Sequence, residues 1–113
     1  MNHIDYSTFE SVEMRVGKII DVQDFPEARK PAYKLTINFG PEIGIKKSSA
    51  QITKLYTKED LKNRLVACVV NFAPKQIGPF ISECLTCGVA DQHGDIALLS
   101  FDQQGISLGS KIF

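Results

Sequence analysis

The chain has 113 residues, 43% of them apolar and 23% charged, the balance of a sequence that folds around a core. Its thirteen Lys/Arg and thirteen Asp/Glu cancel to a formal net charge of zero, which argues against a polycation that coats nucleic acid non-specifically. No apolar run approaches the ~20 residues of a membrane span, and the odd count of three cysteines does not make a disulfide framework.

The opening residues Met1–Asp5 carry neither a basic segment nor an apolar one, so no signal peptide is read and a cytoplasmic chain is expected. Ser7-Thr8-Phe9-Glu10 fits a capping box that opens a short helical turn. From Met14 the pattern has period two. Met14, Val16, Lys18, Ile20 and Val22 share one face, mostly apolar, which predicts a long half-buried strand with that face inward. Gly17 inside it marks a bend or bulge. Pro26 and Pro31 bracket a charged loop. Tyr33, Leu35, Ile37 and Phe39 alternate with polar residues in a second strand, and Gly40-Pro41 turns the chain. Ile43, Ile45 and Lys46-Lys47-Ser48-Ser49 predict a third strand that leaves the core as it ends. Thr57–Leu61 reads as a short capped helix or turn. Leu65–Phe72 predicts a buried strand broken by Pro74, Gly78 and Pro79; Ile81–Val89 follows, and a hairpin turn at Asp91–Asp95 leads into Ile96–Phe101. Gly105 and Gly109 punctuate the tail.

Five or six short strands with little helix predict an all-β fold, one domain over residues 1–113. A small five-stranded barrel of the OB-fold type leads, and the pattern alone leaves a sandwich or an SH3-like barrel open.

Reactive chemistry is sparse. His3 and His93 neighbour no nucleophile motif, and there is no Gly-rich phosphate loop, GxSxG or HExxH. Cys84-Leu85-Thr86-Cys87 resembles a metal or redox motif, but zinc asks for four ligands, and residues three apart on a strand face opposite sides. One thiol inside and one outside or in an interface is the expectation. Binding without catalysis, and without cofactor or metal, follows.

Several strings resemble the CsaA family of tRNA-binding proteins and export-related chaperones: Met14-Arg15-Val16-Gly17, the run Phe25–Leu35, the run Phe39–Thr53, and Val69–Gly78 continuing to Ser82-Glu83. They occur in the family's order along nearly the whole chain. The resemblance implies an OB-fold barrel with short helical turns and flanking segments that build a homodimer. It implies kinship with tRNA-binding domains appended to some methionyl- and phenylalanyl-tRNA synthetases, tRNA as partner, and a role holding unfolded or exported polypeptides. Glu13-Met14, Ala73 and the two cysteines of the CxxC depart from the family pattern.

Residues 26–64 hold nine Lys/Arg against four Asp/Glu, so a neutral chain has a basic centre. Arg29, Lys30 and Lys34 are RNA-binding candidates for phosphate contact, against loop solubility. Lys46, Lys47 and Ser48 offer cations and a hydroxyl, against an edge strand protected by lysine. Asn71, Lys75, Gln76, Ser82 and Leu85 complete the RNA set from the late block; Ser82 and Leu85 are the positions that the resemblance implies for a hydroxyl and an apolar contact. Ile77, Phe80 and Leu85 are the peptide-binding candidates of the chaperone alternative, and Phe80, beside Gly78-Pro79, also reads as a stacking platform.

Overall fold

A computed structural model describes all 113 residues. Three short helical turns, α1 (Tyr6–Glu10), α2 (Gly40–Ile43) and α3 (Lys58–Leu61), punctuate nine strands: β1 (Met14–Asp24), β2 (Tyr33–Asn38), β3 (Ile45–Ala50), β4 (Leu65–Val69), β5 (Lys75–Ile77), β6 (Phe80–Ser82), β7 (Leu85–Thr86), β8 (Gly88–Ala90) and β9 (Ile96–Leu98). Five of them form an antiparallel sheet in the order β3-β2-β1-β4-β7, while β5-β6 and β8-β9 are separate hairpins. The sheet curls into a nearly closed barrel around Ile19, Leu35, Ile37, Phe39, Val66 and Cys68, all at most 1% exposed.

Eleven-residue β1 makes the curl. Its first half, Met14–Lys18, pairs with β4 and its second, Lys18–Asp24, with β2. Toward the barrel the face is the opposite of the expected one at first: Gly17 and Ile19 point in, while Val16, on the expected face, is buried outside the barrel cluster. The register then shifts between Ile19 and Asp21. That bulge restores the expected phase further on, so that Val22 also packs on the core. Gly17 is therefore no bulge. It is a clearance, because a Cβ there would lie 2.5 Å from Ile37 Cγ2 and 2.6 Å from Phe39 Cε1.

Other expectations shift for equally local reasons. α1 starts two residues early, with Asp5 and not Ser7 at its N-cap, and has no side-chain cap. Gly40-Pro41 opens α2 instead of a bare turn. β3 enters the core as it ends, since Ser48, Ala50 and Ile52 are buried and Ile45 is exposed. Pro74 to Pro79 is not a simple break; Pro74 leads into the β5–β6 hairpin, and Gly78-Pro79 is its turn. The run Ile81–Val89 divides into β6, β7 and β8 because its partner changes from β5 to β4 to β9. The alternation of β2, the Thr57–Asp60 capping box and the Asp91 turn, where Oδ1 accepts from the His93 and Asp95 amides, are as expected.

Candidate nucleic-acid interface

The barrel closes across the gap between β3 and β7 by a set of polar staples. The Glu83 amide donates to the Lys47 carbonyl at 2.7 Å, and the Lys47 amide donates back to Glu83 Oε1 at 3.0 Å. The Ser49 amide donates to Ser82 Oγ at 3.1 Å. Ser48 Oγ donates to the Cys84 carbonyl at 3.0 Å and lies 2.9 Å from Thr86 Oγ1. Edge-strand groups that would otherwise template aggregation are thus satisfied internally. Ser48 is fully buried by this closure and Ser82 is half-buried. Both hydroxyls hold the barrel shut, so Ser48 is no surface contact.

A second, smaller apolar cluster lies outside the barrel. Phe25, Ala32 and Phe80 are buried together, with Ala28 and Ile77 against them. The Phe25 and Phe80 rings meet edge to face at 5.3 Å, and Lys34 Nζ lies 5.6 Å from the centre of the Phe25 ring, within cation–π range. This cluster clamps the Pro-bracketed loop, residues 26–31, onto the β5–β6 hairpin. Phe80 at 9% exposure is an anchor of the clamp; the structure gives it no stacking face and no place in a peptide-binding lining.

Between clamp and barrel runs a groove in two parts. The first, about 500 Å³, is lined chiefly by Phe72, Ala73, Ile77, Cys84 and Leu85, with Ser49, Gln51, Lys75 and Ser82 at its polar margin. The second, about 440 Å³, is bordered by Arg29, Lys30, Lys75 and Gln76 with Glu27. Ser49, Gln51, Lys75 and Ile77 line both, so one trough has an apolar end and a cationic end.

The predicted site residues divide accordingly. Arg29, Lys30, Lys75, Gln76, Ile77, Ser82 and Leu85 come together on the trough. Lys34 stands beside it, paired in register with Ser49. Lys47 shares the outward face of β3 with Ser49, whereas Lys46 alternates with Ser48 on the inward side and is half-buried. Asn71 lies apart. Its Oδ1 accepts from the Glu13 amide at 3.0 Å and its Nδ2 donates to the Ser11 carbonyl at 2.8 Å, so both arms pin the entry to β1.

The basic centre of the sequence is not one face. Lys58 Nζ pairs with the Asp24 carboxylate at 3.0 Å and with Lys62 borders a separate concavity that includes Asp21 and Glu59. Arg64 lies over the Tyr56 ring at 5.0 Å.

Ser49, Gln51 and Phe72 were missed. Gln51 continues the outward alternation of Lys47 and Ser49. Phe72 was expected at the end of a buried strand Leu65–Phe72, but β4 stops at Val69 and leaves it outside. Phe72 is 58% exposed.

The cysteines bear on the trough through one atom group. Cys84 is buried at its floor and Cys87 is half-buried. The neighbouring Cys84 thiol, with burial, pushes Cys68 far above the usual thiol range. The Cys68 thiol, with Ser48 and the charge of Lys46, lowers Cys84 against its burial. Burial raises Cys87.

A family model described as "Putative tRNA binding domain" matches residues 14–111. The fold superposes on a crystal structure of the CsaA chaperone protein from Picrophilus torridus with a TM-score of 0.91 at 50% identity, over 98% of this chain and 100% of that one. The chaperone CsaA from Bacillus anthracis str. Ames gives 0.91 at 40% identity, over 99% and 100%. The methionine–tRNA ligase of Thermococcus onnurineus is 34% identical over 99% of this chain, which spans only 15% of that ligase. The chain belongs to the tRNA-binding domain family, with an OB-fold-like barrel shared with the CsaA proteins.

Proposed function

We propose that this protein binds tRNA as a homodimer, using the trough between the barrel and the clamped loop, and does so without catalysis. The observation that carries the reading is the cationic end of the trough. Arg29, Lys30 and Lys75 are exposed and take part in no ion pair within the chain, and Lys34 and Lys47 flank them. Folded RNA is gripped by shape, phosphates and exposed bases, not through its deep major groove, and a curved barrel face with basic rims suits that task. Fluorescence anisotropy with labelled tRNA tests it. Saturable binding that weakens steeply with salt is expected; binding indifferent to salt refutes the electrostatic grip.

The homodimer draws support from the flanking segments. Ile4 and Tyr6 at α1, Val89 in β8 and Phe113 at the chain end are exposed apolar residues that belong to none of the five barrel strands. Light scattering is expected to give about twice the 12.5 kDa chain mass; the single-chain mass at working concentration refutes it.

A second reading rests on the apolar end of the same trough: Ile77 and Leu85 with Phe72 suit the side chains of an unfolded polypeptide held in chaperone fashion. Competition decides. If an unfolded polypeptide displaces tRNA, one trough serves both; if it binds without displacing tRNA, the trough is not its site.

A further inference from the structure

Phe72 is the residue of the trough with no structural task. Its ring is 58% exposed, it belongs to neither apolar cluster, and it pairs with no other aromatic ring. It nevertheless stands in the wall of a concavity of about 500 Å³ that Ser49 and Gln51 also line. An exposed aromatic wall in a concave site calls for a flat occupant. Gln51 makes no side-chain hydrogen bond within the chain and is exposed, so its amide has a donor and an acceptor to give. Lys75 borders both ends of the trough, and Arg29 and Lys30 stand at the far one. The occupant is therefore flat and apolar on its faces, polar at its edge, and attached to anions.

Resting on the reading of this trough as an RNA interface, we propose that its apolar end is a nucleobase site: one unpaired base of the bound RNA leaves its stack, lies on the Phe72 ring and presents its edge to Gln51, while the phosphates flanking it run to Lys75, Arg29 and Lys30. Charge complementarity selects this occupant over an apolar peptide side chain, which would fill the Phe72–Leu85 end and leave the adjoining cations without a partner. Unstacked bases are the usual targets of protein recognition in RNA, and stacking on an aromatic ring tolerates any base. The site adds a requirement that phosphate contacts lack: the RNA must offer an unpaired nucleotide.

The test compares three probes on the full chain: tRNA, a short single-stranded RNA carrying 2-aminopurine, and a blunt RNA duplex. The wild-type chain is expected to quench 2-aminopurine fluorescence and to bind the duplex more weakly than tRNA. Phe72→Ala is expected to weaken tRNA and single-strand binding by about 5- to 150-fold and to leave duplex binding unchanged, whereas Phe72→Tyr retains both. Truncation of an exposed ring opens no core cavity, and circular dichroism of each variant verifies the fold; Phe72→Leu, which keeps apolar bulk without a π face, is expected to behave as Phe72→Ala. If wild type binds tRNA and Phe72→Ala binds it equally well, the base site is overturned while the RNA reading stands. Failure of the wild type to bind any RNA overturns both. A Phe72→Ala loss confined to unfolded polypeptide, or a Phe72→Leu variant as strong as wild type on the single strand, also overturns the base site.

Discussion

Removing the cations at the polar end of the trough tests the electrostatic core of the tRNA reading. Arg29 and Lys30 project from the loop that the Phe25–Phe80 contact clamps down, and Lys75 from β5. None of the three is paired with a carboxylate, so each is free to displace counterions from a phosphate. Each phosphate neutralised contributes about 0.8 log units of affinity per tenfold change in salt. Going from about 1 M to about 0.1 M salt is one such decade, so one contact is worth about sixfold and three together about 250-fold. That is about 3.3 kcal/mol. The triple variant Arg29→Gln, Lys30→Gln, Lys75→Gln is therefore expected to lose up to about 250-fold in tRNA affinity near 0.1 M salt and to flatten the plot of log affinity against log salt by about 2.4. Fluorescence anisotropy across a salt series measures both. The control is Lys58→Gln with Lys62→Gln, which removes charge from a concavity that already holds Asp21 and Glu59. It is expected to leave the slope unchanged. Equal losses in both variants would mean that total charge matters and the trough does not. An unchanged slope in the triple variant would refute phosphate contact at these residues.

Three further outcomes follow from the packing. Phe80→Ala empties the small cluster against Phe25 and is expected to cost about 3 kcal/mol in urea unfolding, with faster amide exchange in residues 26–31 and weaker tRNA binding; unchanged exchange there would show that the loop is held by something else. Gly17→Ala forces a methyl group against Ile37 and Phe39 and is expected to destabilise by about 1–3 kcal/mol, visible as a lower denaturant midpoint. Asn71→Ala breaks the bonds to Glu13 and Ser11 and is expected to cost about 1 kcal/mol with little change in tRNA affinity. A large loss of affinity at unaltered stability would return Asn71 to the interface.

The sequence by itself determined the elements whose signals are local. The Tyr33–Phe39 alternation needs only a strand with one wet face, the Thr57–Asp60 box only its own backbone, and the Asp91 turn only its own carboxylate; each forms where it was read. The ordered motifs carried the family resemblance for the same reason, since they are strings and not contacts. Tertiary structure decided which of two similar residues does which work. Phe72 and Phe80 both stand near a proline, yet Phe80 is buried because Phe25, distant in the chain, reaches it, and Phe72 is exposed because β4 has ended. Ser48 and Asn71 read as polar contacts, yet they are consumed by closing the barrel and pinning β1. A single bulge after Ile19 reverses which face of β1 is inward. The basic centre of the sequence divides between the trough, an ion pair with Asp24 and the Tyr56 ring. Periodicity and charge counts record what a residue is, but burial and pairing depend on which remote segment arrives beside it, and that is set only when the barrel closes.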